Sequence, residues 1–205
     1  MIIPFSSVIL ASQSIARKAL LESVGLKVIT HPTYVDESHS FDNYKEAVRE
    51  IALRKLFSYV EGRDNLSFPV IAADTMISIH SQILGKPIDK DDARRQLAIL
   101  SGNRHSVCSG YAVYLPFLGR IYSGFDETFV NILPLTKQQI EEYLDTGEYV
   151  GAAASYRIQE KGRAIISSVD GDITTVVGLP MMKISAILTE PENLTYQEYP
   201  PHGEN

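Results

Sequence analysis

Three observations predict an α/β fold. A short apolar run at 8–10, VIL, leads directly into a segment whose apolar residues recur at helical spacing. A strand followed by a helix returns with the apolar run at 69–73 and the periodic segment after Asp89. Two long stretches rich in Val, Tyr, Phe and Ile, 105–114 and 121–132, then read as successive strands.

With 205 residues, the chain is long enough for one sizeable core or two small lobes. Its 44% apolar and 21% charged residues are those of a soluble globular protein. A net charge of −6 without a basic stripe argues against a nucleic-acid surface, so any bound anion should be small. The single cysteine, Cys108, excludes an intramolecular disulfide and a cysteine zinc site, and fits a reducing compartment. No run approaches the roughly 18 apolar residues of a membrane span, and no secretory leader pattern opens the chain. The expectation is a cytoplasmic protein with no nucleic-acid and no membrane partner.

In the first helix, Ala16, Ala19, Leu20 and Val24 form the expected apolar face, Ser14 stands at the N-cap and Gly25 stops the pattern. A helix N-terminus carries unpaired N–H groups and partial positive charge; Ser12, Ser14, Arg17 and Lys18 would add two hydroxyls and two cations. A phosphate site and an ordinary capped turn both satisfy this spacing. A second strand at 28–30 leads into a polar loop with Asp36 and Glu37, which either hold a hard cation such as magnesium or are merely solvated. The next helix, 43–60, keeps Ala47, Val48, Ile51, Ala52, Leu56 and Tyr59 inward. Lys55 falls in that stripe, as a snorkelling lysine or as a cation aimed inward.

The run 69–73 ends in Asp74, with strand continuing or alternating over 76–80. An acid at the carboxyl end of a strand is where α/β sheets build their sites, and partial burial among Ala72, Ala73 and Met76 suits Asp74 to act as a base or metal ligand. A capping aspartate is the alternative, though no helix pattern follows it. Gly85 and Pro87 punctuate a loop that presents Lys86. Asp89 and Asp92 start a helix with Ala93, Leu97 and Leu100 inward, ending at Gly102. His105 reads as a structural strand-end histidine, having no second ligand at metal spacing. Thr136 and Gln139 form a capping box for a helix with Ile140, Tyr143 and Leu144 inward, stopping at Gly147. Small residues over 151–155 allow close approach to the backbone, and Tyr156, Ile158 and Gln159 are expected to line a flat pocket suited to a nucleobase. A strand at 165–169 and a last helix opened by Pro180 complete the domain, 1–189. Residues 190–205 are expected to be a polar tail without a packed core. No phosphate loop, dinucleotide fingerprint, HExxH or nucleophile elbow is present, so Ser12 is a poor nucleophile.

Ser12-x-Ser14 with Arg17, Asp36-Glu37, Lys55, Ala73-Asp74-Thr75, Gly85-Lys86-Pro87, SGNRH around His105, Tyr156-x-Ile158-Gln159 and the closing VVGLP keep one order over about 7–189. Together they resemble the Maf-like nucleotide pyrophosphatases, the septum formation inhibitor Maf family. The resemblance implies an elongated mixed α/β sheet flanked by helices, related to the inosine-triphosphate pyrophosphatases. It also implies a homodimer that splits nucleoside triphosphates into monophosphate and pyrophosphate with a divalent metal, Mg or Mn. On that reading Glu37 and Asp74 hold the metal, and Asp74 is also the catalytic base or water-orienting group. Ser12, Ser14, Arg17, Lys55 and Lys86 meet the phosphates, and Gln159 meets the substrate.

The chain departs from the family pattern twice. Ile15-Ala16 stands where Pro-Arg is usual, similar to the branch acting on 7-methyl-GTP, and Gly151-Ala152 replaces an Asp-Lys pair. Thr75 and Gln159 instead look like the branch acting on dTTP and UTP. A nucleotide-binding regulator of cell division without turnover is the alternative from another class, and a phosphomonoesterase a third.

Overall fold

The computed structural model describes residues 3–38, 41 and 43–199. In chain order its elements are β1 (Ser7–Leu10), α1 (Ile15–Ser23), β2 (Lys27–Thr30), α2 (Tyr44–Val60), β3 (Val70–Ile79) and β4 (Gln82–Leu84). Then follow α3 (Lys90–Leu100), β5 (Arg104–Leu115), β6 (Arg120–Ile132), α4 (Lys137–Leu144), β7 (Ile166–Asp170), α5 (Ile173–Val177), α6 (Met181–Thr189) and β8 (Gln197–Glu198). The strands pair in the order β2-β1-β3-β5-β6-β7, with β4 on β3 and β8 on β6. β1 runs parallel to β2 and β3, whereas β4, β7 and β8 are antiparallel to their partners, so the sheet is mixed and the α/β class holds.

The chain divides into two compact units. Unit 1 takes the chain up to Asp74, then Ser109–Asp126 and everything from Gly178; unit 2 takes Thr75–Cys108 and Glu127–Val177. Three of the four crossings fall inside β3, β5 and β6, which is why no linker composition marks them in the sequence.

In unit 1 the strands are apolar on both faces. Val8, Leu10, Ile71, Ala73, Val113, Leu115 and Tyr122 pack with Leu21 of α1 and with Ile184, Ile187 and Leu188 of α6. The alternate residues Ile9, Ala11, Val70, Ala72, Ala112 and Ile121 pack with Ala52, Leu56, Tyr59 and Val60 of α2. Burial on both faces explains why 8–10 and 69–73 read as continuous apolar runs rather than alternating ones. Gly110 of β5 lets α2 come close: a Cβ there would lie 2.2 Å from the Val48 carbonyl oxygen. The expected face of α1 is corrected, since Leu21 is its buried residue while Ala19 and Val24 are exposed.

In unit 2 the apolar core lies on one face of the strands. Ile77, Ile79, Val107, Val130 and Ile132 of the strands meet Ala93, Leu97 and Leu100 of α3 and Ile140, Tyr143 and Leu144 of α4. The caps stand where the side-chain chemistry puts them. Asp89 accepts from Asp92 N, and Thr136 with Gln139 forms the reciprocal box. Pro180 is the N-cap of α6 rather than its first residue.

The expected tail differs up to Tyr199. Gln197 and Glu198 pair with Ile121 and Arg120 of β6, and the Tyr199 ring stacks on Phe57 with centroids 6.0 Å apart. Its aromatic rings supply the apolar area that a count of polar residues overlooks. Residues 200–205 of that segment lie outside the described residues.

Candidate functional site

The site is built on β3. Val70 and Ala72 face α2, so the period of two carries Asp74 to the same side. Asp74 is not at a strand end as expected but inside β3, which continues to Ile79. It still stands past the carboxyl end of its parallel neighbour, because β1 ends at Leu10 opposite Ile71. From α2 comes Lys55, which is buried rather than snorkelling. Its Nζ donates to Asp74 Oδ1 at 2.7 Å and lies 2.7 Å from Glu37 Oε1. The side chains of Lys55 and Asp74 are 10% and 12% exposed and that of Glu37 is 60%, so the cluster opens to solvent on the Glu37 side.

The two adjacent acids of the 36–37 pair have separate fates. Asp36 is occupied locally, with Oδ1 accepting from Ser38 N at 2.8 Å and Oδ2 from Ser38 Oγ at 2.6 Å. Those hydrogen bonds hold its pKa below the usual carboxylate value. Glu37 alone reaches the lysine.

Ser14 caps α1 as expected, its Oγ accepting from Arg17 N at 3.3 Å, while Ser12 Oγ accepts from Ser14 N at 3.2 Å. Arg17 does more than face a ligand: Nε donates to Gly178 O at 2.8 Å and Nη1 to Ala73 O at 2.7 Å. It therefore ties the start of α1 to the residue before Asp74. Burial pushes the Arg17 pKa down, against the charges of Asp74 and Glu37, which push it up. Ser12, Ser14, Arg17, Glu37, Lys55 and Asp74 thus come together within unit 1.

Lys86 and Gln159 belong to unit 2 and are both exposed. The loop before Lys86 is fixed by Ala154 N, which donates to Gly85 O at 3.0 Å. Ala154 and Ser155 have φ of 53° and 66°, a left-handed pair held by Ser155 Oγ on Gln96 Oε1 at 2.7 Å. Tyr156 and Ile158 do not line a pocket but enter the unit 2 core, where burying their apolar area is worth more; the Tyr156 hydroxyl meets His105 Nε2 at 2.8 Å. Gln159 follows in the exposed turn. Sequence reasoning missed three holders of this geometry. Arg54 signals itself only by preceding Lys55, and Gln96 and the Gly178 carbonyl carry no signal at all.

Glu37 and Asp74 fit a hard divalent cation. Both carboxylates already converge on one positive nitrogen, and oxygen donors of this kind suit magnesium or manganese. Among the described residues no group of three or more His, Cys, Asp or Glu could hold a metal. Magnesium commonly takes one or two carboxylates and completes its shell with water and substrate phosphates. No helix among the described residues is long and apolar enough to cross a membrane.

The family described as Maf-like protein matches residues 7–191. The chain belongs to the Maf-like proteins. A dTTP/UTP pyrophosphatase of Agathobacter rectalis is 35% identical over 193 residues, covering 87% of this Maf-like chain and 94% of its own length. A dTTP/UTP pyrophosphatase of Symbiobacterium thermophilum is 36% identical, with 89% and 92% covered. A solved structure of a dITP/XTP pyrophosphatase from Mycobacterium abscessus is similar over 62% of this chain and 74% of its own, at 14% identity and a TM-score of 0.39.

Proposed function

We propose that this chain is a metal-dependent nucleoside triphosphate pyrophosphatase releasing monophosphate and pyrophosphate, with dTTP and UTP as its substrates. The observation that carries the reading is the Lys55 ammonium held between Glu37 and Asp74, beside the capped start of α1. Membership of the Maf-like proteins and the relatives called dTTP/UTP pyrophosphatases support it; on the resemblance Thr75 and Gln159 point to the same base, and Ile15-Ala16 to 7-methyl-GTP.

Phosphoryl transfer needs positioning and charge neutralisation more than covalent chemistry. A water oxygen attacks the α-phosphorus, its proton passes to Asp74, and the bond to the bridging oxygen breaks so that pyrophosphate leaves. Asp74 holds that water in line while Lys55 keeps its carboxylate in place. Ser12, Ser14 and the N–H groups at the start of α1 donate to phosphate oxygens, and the Arg17 charge offsets theirs. A divalent cation held by Glu37 and Asp74 would neutralise charge on the phosphates. Lys86 as a phosphate contact, Gln159 as a base contact, the homodimer and the cytoplasmic location rest on the resemblance.

The test is a nucleotide panel with product identification, including dTTP, UTP and 7-methyl-GTP. Pyrophosphate and monophosphate in equal amounts are expected, fastest from dTTP or UTP. Orthophosphate as sole inorganic product, or tight binding without turnover, would overturn the assignment.

A further inference from the structure

Arg54 lies on α2 one residue before Lys55, and a single nitrogen of it, Nη1, donates to Asp36 O at 3.0 Å and to Ser38 O at 2.7 Å. These two carbonyls flank Glu37 in the chain. The same short arc is closed from its other side by the Asp36 carboxylate on Ser38 N and Oγ. Nε of Arg54 lies 3.6 Å from Glu50 Oε1, one helical turn earlier, which steadies the guanidinium against α2. A glutamate that is 60% exposed on an irregular loop would ordinarily sample many positions, yet Glu37 Oε1 sits 2.7 Å from Lys55 Nζ.

We propose that Arg54 is a positioning residue for Glu37, pinning the main chain on both sides of it to α2 so that the carboxylate stands ready beside Lys55 and Asp74. Arg54 touches neither substrate nor metal on this proposal, and acts by removing freedom that cation binding would otherwise have to remove. The proposal rests on the reading of Glu37 as a metal ligand, and the experiment separates the two.

Mn²⁺ binding is measured by the electron paramagnetic resonance of the free ion, in the presence of α,β-methylene-UTP, whose bridge cannot be hydrolysed. Wild type, Arg54→Gln, Glu37→Gln and the double variant are compared. Arg54→Gln is expected to weaken Mn²⁺ binding about tenfold, the lower end for a partner that orients a ligand. The double variant should bind no more weakly than Glu37→Gln alone, since Arg54 acts through Glu37. Arg54→Gln binding Mn²⁺ as wild type does, or a double variant losing the sum of both effects, overturns the positioning role. Unchanged binding in Glu37→Gln overturns the metal-ligand reading itself and the proposal with it. Melting curves establish that each variant is folded, and Arg54→Met, which keeps the apolar stem and has no donor, supplies the same comparison should Arg54→Gln melt early.

Discussion

Asp74→Asn separates chemistry from architecture better than any other single change. Asparagine keeps an oxygen that can accept from Lys55 Nζ, now 2.7 Å from Asp74 Oδ1, and Glu37 remains 2.7 Å from the same nitrogen as its charge partner. The loss to stability is therefore the difference between a hydrogen bond to a charged acceptor and one to a neutral acceptor, about 1–1.5 kcal/mol. For a chain of this size that lowers the melting temperature by roughly 2–6 °C. Charge and proton-accepting capacity vanish altogether, so turnover should fall by about 10²–10⁴, which is roughly 3–5.5 kcal/mol of barrier. Nucleotide affinity should fall much less, because the cations remain and the repulsion between Asp74 and the triphosphate disappears. The assay is initial-rate pyrophosphate release from UTP and dTTP, alongside a thermal melt. Near-normal turnover in folded Asp74→Asn would refute the role given to this carboxylate.

Three further outcomes are expected. Chelation with EDTA should stop pyrophosphate release and Mg²⁺ or Mn²⁺ should restore it; turnover indifferent to EDTA would remove the metal from the mechanism. Gly110→Ala places a methyl group 2.2 Å from the Val48 carbonyl oxygen, so α2 must shift, and a loss of about 3 kcal/mol or more in urea unfolding is expected. Burial pushes the pKa of His105 down to about 4 from its usual 6.5. The unfolded chain then binds the extra proton first, so His105 supports the fold above about pH 6.5 and this support is lost as pH falls toward 4. The loss amounts to about 3 kcal/mol. Urea titrations at pH 7 and 4.5 should show it in the wild type and not in His105→Gln, and equal pH slopes in the two proteins would contradict it.

What could be read from the sequence was whatever depends on near neighbours. Ser14, Asp89 and Thr136 cap their helices because the bonds involved span three residues, and the apolar runs at 8–10 and 69–73 are strands because both faces are covered. Lys55 in an apolar stripe carried two meanings, and only Asp74, 19 residues away, decides between them. The choice between Asp36 and Glu37 turns on Ser38 and Arg54, which no spacing rule weighs. Tyr156 and Ile158 looked like pocket walls because small residues precede them, while the left-handed pair Ala154 and Ser155 turns them inward. Conformations of that kind at non-glycine residues leave no local signature.

The bond from Arg17 to the Gly178 carbonyl joins residues 161 positions apart. During synthesis at about 5–20 residues per second, roughly 8–30 s separate the appearance of one partner from that of the other. Throughout that interval Arg17 lacks its far anchor, and α6, which covers the same face of β1 and β3, has yet to be made. Unit 1 therefore closes only after all of unit 2 has been made, because Gly178 and α6, which covers β1 and β3, follow Val177 in the chain.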